Sequence, residues 1–146
     1  MQQKKIIALA IETLDIEAKA IENLKQFINN DFAKCIQFLV ATKGHVIVTG
    51  IGKSAIIAQK MVATFNSTGT PSAFMHAADA IHGDLGIIQK EDVIICISNS
   101  GNTPEIKLLA PLLKNGGNML IAMTGNTNSV LAKHADFVLN TSVDKE

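Results

Sequence analysis

The chain has 146 residues, enough for one domain with its own core and too few for two. Apolar residues make up 47% but aromatics only 4%, so the core must be aliphatic, built from Ile, Leu, Val, Ala and Met. Formal net charge is zero and the basic residues are spread out, which argues against nucleic acid or an anionic membrane as the main partner.

Residues 4–28 read as a helix. Ile7, Ile11, Leu14, Ala18, Ile21, Leu24 and Ile28 recur at three- and four-residue steps and form one apolar stripe. A helix of that length spans about 36 Å at 1.5 Å per residue, longer than so small a domain can cover. Part of the stripe is therefore expected to pack on another subunit. Lys4 and Lys5 lead into a segment broken by Glu12, Asp15 and Glu17, so no secretory leader is expected, and no apolar run approaches a membrane span. The expectation is a soluble, cytoplasmic protein. Asn29-Asn30-Asp31 closes the first helix, and Asp31 is a candidate cap for a second, "DFAKCIQFLVAT", ending near Lys43-Gly44.

From residue 45 the pattern alternates. "HVIVTG" reads as a buried strand and "KSAIIAQKMVATFNSTG" as a helix stopping at Gly69. "PSAFM" and "DVIICIS" read as strands. "TPEIKLLAPLLKNGG" opens a helix with Thr103 as cap and Pro104 in the first turn, where proline is tolerated. Pro111 inside that pattern predicts a kink or a boundary. "NMLIAMTG" is a strand, "SVLAKHA" a short helix and "DFVLNT" a last strand. Cys35 and Cys96 lie in apolar stretches without metal-type spacing, as buried reduced thiols would. His45 and His134 read as structural.

Strands without polar alternation, each followed by a helix, define a three-layer α/β sandwich with a five-stranded parallel sheet between helices. In such folds ligands bind in the crevice at the carboxyl ends of the strands. That points to three loops: Gly50 to Ser54, Ser98 to Thr103, and the segment after Asn140. Residues 1–44 are read as N-terminal helices and 45–146 as the α/β core.

The first loop, "HVIVTGIGKS", poses a choice of phosphate ligands. A nucleotide-triphosphate loop needs glycine five residues before the Gly-Lys-Ser glycine, and position 47 is Ile in mid-strand. A dinucleotide fingerprint, G-x-G-x-x-A, fits Gly50 to Ala55, but it also needs an acid at the end of the next strand. That strand runs into His76-Ala77-Ala78, and the nearest acid is Asp79. The loop "ISNSGNTPE" supplies Ser98, Asn99, Ser100 and Thr103 around Gly101 at a strand-to-helix turn. Hydroxyls, an amide and backbone N–H groups at a helix start suit a single phosphate monoester. A turn that only caps its helix through Thr103 would use one hydroxyl and leave the other donors unexplained.

"SNSGNT" resembles the phosphate loop of the sugar isomerase (SIS) domain family, which has a flavodoxin- or Rossmann-like fold. Read with "GIGKS" and "STGTPSAFMHAADAIHGDLG", the order and spacing are similar to the branch of that family acting on D-arabinose 5-phosphate. The resemblance covers nearly the whole chain, most closely residues 45–146. It implies interconversion of D-ribulose 5-phosphate and D-arabinose 5-phosphate through an enediol, on the route to Kdo for lipopolysaccharide or capsule.

Such an isomerase needs a base to move a proton between C1 and C2 and positive charge where the oxyanion develops. Glu105, one turn into the helix after the phosphate loop, is a candidate catalytic carboxylate; the alternative is an ordinary first-turn glutamate favoured by the dipole, and the resemblance implies catalysis. Lys53 at a helix start is mildly unfavourable unless an anion sits there, so it is assigned to the oxyanion. Ser54 is expected to join Ser98, Asn99, Ser100, Gly101 and Thr103 on the phosphate. The resemblance makes Glu146 a second catalytic glutamate, His82 a sugar-hydroxyl contact, and Gly69 and Thr70 further substrate contacts. It makes His76 a site for a divalent ion such as zinc, inhibitory or structural, with no cofactor required.

The resemblance also implies a homodimer or homotetramer. It implies a further helix and a histidine-bearing segment after Glu146, and in many members a CBS-domain pair. None of these lies within the 146 residues, so a fragment or an impaired activity is expected. Ala55 stands where the family usually has glycine. The competing reading, from another class, is a non-catalytic phosphosugar-binding module.

Overall fold

The computed structural model describes residues 2–144. The five apolar runs become strands: β1 (Val46–Gly50), β2 (Ser72–His76), β3 (Val93–Ile97), β4 (Met119–Thr124) and β5 (Phe137–Asn140). All pair in parallel, in the order β2-β1-β3-β4-β5. The chain winds outward from β1 in one direction and, from β3, in the other. The reversal lies between β1 and β3, which is where ligands bind in sheets of this order.

Helices cover both faces. α2 (Asn30–Ala41) and α3 (Lys53–Ser67) lie on one, α4 (Ala77–Ile81), α5 (Pro104–Asn115) and α6 (Val130–His134) on the other. The period-two alternation of the strands feeds both cores. Val46, Val48 and Ile95 pack with Cys35 of α2 and Ala58 of α3, whereas Ile47, Ile94 and Cys96 pack with Ile106, Leu109 and Leu113 of α5. The aliphatic three-layer sandwich is as read. Both cysteines are buried and free; burial pushes the Cys35 thiol up and that of Cys96 up to about 12, so neither is a thiolate near neutrality.

Several local expectations change. The first helix is α1 (Gln2–Asn23), followed by a separate 3₁₀ turn at Leu24–Phe27 rather than one run to residue 28. No described α1 residue is buried, and Ile7, Ile11, Leu14 and Ile21 are each more than half exposed. The cap of α2 is Asn29, whose Oδ1 accepts the N–H groups of Asp31 and Phe32 at 3.0 and 3.1 Å, and not Asp31. Asn29 precedes the helical run and can take extended backbone, while Asp31 already lies inside the first turn. Pro111 does not end α5, which runs on to Asn115. Ala110 and Leu113 on either side of it are buried in the core. Helix α4 and a 3₁₀ turn at Asp84–Ile87 fill a stretch in which no element was predicted. In that stretch glycines and polar residues interrupt the apolar ones, leaving too short a run to show a period.

Candidate active site

The carboxyl edge of the sheet is in register. Gly50 pairs with His76 on β2 and with Ile97 on β3, so three strand ends stand side by side at the reversal point. After β1 the chain turns through Gly52, with φ +59°, straight into α3 at Lys53. Only glycine enters that backbone region without strain. Gly52 is also the cap residue of α3 and has no side chain to satisfy the helix's first amides.

After β3 the chain makes the Ser98–Thr103 turn and enters α5. Ser98 is buried, and its Oγ accepts the Gly101 N–H at 3.1 Å; Ser100 Oγ accepts the Asn102 N–H at 3.2 Å. The turn is held from behind by β4 and α6. Thr124 Oγ1 donates to the Asn99 carbonyl at 3.1 Å, Gly125 N donates to the same oxygen at 2.9 Å, and Asn102 Oδ1 accepts the Val130 N–H at 2.9 Å. Gly101 has φ +61°, and a Cβ there would overlap Ser129. Glycine is therefore required for both conformation and close packing. Thr103 is the cap residue of α5 by position, but its hydroxyl makes no capping bond, contrary to the sequence reading.

Three buried side-chain polar atoms lack a hydrogen-bond partner among the described residues: Thr49 Oγ1, His76 Nδ1 and Thr103 Oγ1. All three lie at this one edge, at the ends of β1 and β2 and the start of α5. An unmet buried polar atom costs about 1–3 kcal/mol. They lie beside the starts of α3, α4 and α5, none of which has a side-chain cap. α2 and α6, by contrast, are capped by Asn29 and Ser129.

The turn and the two helix starts gather Lys53, Ser54, Ser98, Asn99, Ser100, Gly101, Thr103 and Glu105 around the reversal point. Lys53 is exposed and Glu105 half-buried, and among the described residues neither forms an ion pair. His76 closes β2, with Nδ1 at 3.7 Å from Asp79 Oδ2 and its ring edge-on to Phe74. His82 directly follows α4 and is exposed. No group of three or more His, Cys, Asp or Glu is gathered for a metal among the described residues. His76 and Asp79 supply two possible ligands, where zinc sites take three or four from protein.

Two expectations do not join this crevice. Gly69 and Thr70 follow α3 and precede β2, which puts them at the amino edge, the opposite end of the sheet. A helix that returns a parallel strand must end there, so within one chain they stand apart from the phosphate turn. The segment after Asn140 follows β5, two strands from β3, so it does not flank the reversal point. Glu146 lies outside the described residues. Sequence reasoning missed Thr49, because a threonine inside "VIVTG" looks like any β-branched strand residue. The backbone N–H of His45 donates to Asp92, while its side chain is exposed; His134 Nδ1 sits 2.8 Å from the Val130 carbonyl.

The fold is a doubly wound parallel α/β sheet whose reversal point carries two helix starts without side-chain caps and a hydroxyl-lined turn. The SIS domain pattern matches residues 39–146, and the chain belongs to that family. It is 48% identical over 145 residues to arabinose 5-phosphate isomerase KdsD of Pseudomonas aeruginosa, covering 99% of this chain and 44% of that protein. It is 47% identical over 142 residues to arabinose 5-phosphate isomerase KpsF of Escherichia coli, covering 97% of this chain and 43% of that one. The fold matches an Escherichia coli CFT073 protein solved in complex with arabinose 5-phosphate, with TM-score 0.92 and 44% identity, over 100% of this chain and 78% of that one. The chain thus spans less than half the length of the two curated relatives. Among the described residues no helix is long and apolar enough to cross a membrane.

Proposed function

We propose that this domain interconverts D-ribulose 5-phosphate and D-arabinose 5-phosphate, the latter a precursor of Kdo. The observation that carries the reading is the cluster of unmet buried polar atoms and uncapped helix starts at the β1/β3 reversal point. The names of the relatives give the sugar. In this reading the phosphate lies against the 98–103 turn and the first amides of α3 and α5, with Ser54 and the turn hydroxyls donating to it. Both helix dipoles favour its charge.

Glu105 then stands one helical step from the phosphate turn and moves the proton between C1 and C2, with Glu146 as the second carboxylate. Lys53, which pairs with no carboxylate among the described residues, neutralises the enediolate oxygen. His82 contacts a sugar hydroxyl. The chemistry needs no cofactor. A divalent ion such as zinc held by His76 and Asp79 would inhibit by occupying the sugar's place. Gly69 and Thr70 could touch substrate only from another copy of the chain. We also assign the exposed α1 stripe to such a copy, in a homodimer or homotetramer whose mass light scattering would report.

The test is conversion of D-ribulose 5-phosphate measured beside calorimetric binding of D-arabinose 5-phosphate. Glu105→Gln is expected to lower kcat by about 10²–10⁴-fold with little change in KM. A change confined to KM would make Glu105 a binding residue. Tight binding with no turnover would leave a phosphosugar-binding module in place of an enzyme.

A further inference from the structure

The proposed reading gives the hydroxyls of the 98–103 turn a task but leaves Asn102, between Gly101 and Thr103, without one. We propose that Asn102 is a positioning residue: by tying the turn to the start of α6, it fixes the Ser100 hydroxyl toward the phosphate. The inference rests on the phosphate reading and names what holds the binding turn in shape.

Asn102 is held at both backbone and side chain. Its N–H donates to Ser100 Oγ at 3.2 Å, and its own Oδ1 accepts the Val130 N–H at 2.9 Å. A hydroxyl has a single proton to give and accepts through its lone pairs. With Ser100 Oγ accepting from Asn102 inside the turn, its proton is left to donate outward. Val130 is the first residue of α6, and that helix is a firm anchor. Leu131 is fully buried and Ala132 nearly so, and Ser129 Oγ already caps the helix by accepting the Ala132 N–H at 3.2 Å.

The neighbouring acceptors are engaged from the same side. The Gly101 carbonyl accepts the Leu131 N–H at 3.2 Å, and the Asn99 carbonyl accepts from Thr124 Oγ1 and the Gly125 N–H. β4 and α6 together with the loop between them thus hold the Asn99 and Gly101 carbonyls and Asn102 Oδ1, oxygens that would repel a phosphate if they faced it. Without its tie to Val130, Asn102 Oδ1 is free to turn toward the anion and Ser100 to change rotamer. A turn already fixed in its binding shape pays less ordering entropy when the ligand arrives.

Calorimetry at 25 °C with inorganic phosphate and D-arabinose 5-phosphate tests the tie from each of its ends. Asn102→Ala removes the acceptor and is expected to weaken both ligands by the same factor, about tenfold, because the defect lies at the group they share. Val130→Pro removes the donor from outside the turn. Proline suits the first position of a helix, and Ser129, at φ −68° and ψ 166°, already has the extended backbone that precedes one. This variant is expected to keep its Tm and still lose affinity for both ligands. A lower Tm with unchanged affinity in either variant would make the tie a matter of folding alone. A loss in Asn102→Ala that Val130→Pro does not share would make Asn102 a direct ligand contact. Either result overturns the proposal and leaves the phosphate turn standing. If the unaltered chain binds neither ligand, the phosphate reading fails and takes this proposal with it.

Discussion

The two ends of the sheet treat their buried polar groups in opposite ways. At the amino edge the polar side chains that leave solvent are tied down. Asp92, almost fully buried, accepts the N–H groups of His45 and Gln89, each at 2.7 Å. Asn118 Nδ2 donates to the carbonyls of Gln89 and Asp92 at 2.8 and 3.0 Å, and Asp136 takes the Leu120 N–H and the Lys114 ammonium. At the carboxyl edge Thr49, His76 and Thr103 each bury a polar atom that has no partner among the described residues, and three helices, α3, α4 and α5, begin without side-chain caps. Stability alone would not keep such groups. On the proposed reading one edge serves folding and the other serves binding, and substitutions at each should report on one property without the other.

The sharpest break of that contrast is Ser98→Ala combined with Ser100→Ala. If each hydroxyl donates to a phosphate oxygen, the pair is worth about 3–5 kcal/mol of binding, a few hundred-fold or more. Calorimetry with D-arabinose 5-phosphate reads this directly. Unchanged affinity would mean that the anion does not bind at this turn.

Asp92→Ala is the mirror experiment. It leaves two backbone N–H groups without their acceptor and is expected to lower stability by about 3 kcal/mol, a fall in Tm of roughly 6–12 °C. Phosphosugar affinity at 25 °C should not change. A loss of affinity in protein shown to be folded would couple the two edges and end the division between them.

Thr103→Val should move stability in the opposite direction. The hydroxyl is buried and caps nothing, so its removal is expected to raise stability by about 1 kcal/mol, or some 2–4 °C in Tm, while phosphosugar binding weakens. A variant that melts lower would show that the hydroxyl is satisfied in the free protein after all.

This division of labour also explains what could be read from the sequence. Strands such as "VIICI" and helices with regular apolar steps are set by hydrophobic period, which is local. The Ser98–Thr103 turn stood out because its donors exceed what one helix cap can use. Thr49 was not legible, since its standing out depends on burial at a strand end and on a hydroxyl left without a partner. That Gly69 and Thr70 fall at the amino edge was not legible either: motif proximity in sequence does not say which edge of a parallel sheet a loop falls on. The cap of α2 was missed by two residues because Asn29 and Asp31 are chemically alike, and only the backbone distinguishes them.

The smallest expected effect tests the amino edge through pH. Burial alone would raise the Asp136 carboxyl, but the Leu120 N–H at 2.9 Å and the hydrogen bond and charge of Lys114 outweigh it and hold the group below its ordinary value. A carboxylate lowered in the folded state contributes stability above its unfolded pKa, near 3.9, and loses it as pH falls through the folded value. Asp136→Asn can keep the bond to Leu120 but not the charge, so at pH 7 it should be less stable by about 1 kcal/mol or less, as partly exposed ion pairs usually are. Melting curves of both proteins between pH 7 and pH 3 should keep a constant separation down to about pH 5 and converge below about pH 4. A gap that persists at pH 3 would mean that the shape of the aspartate, and not its charge, closes this edge of the sheet.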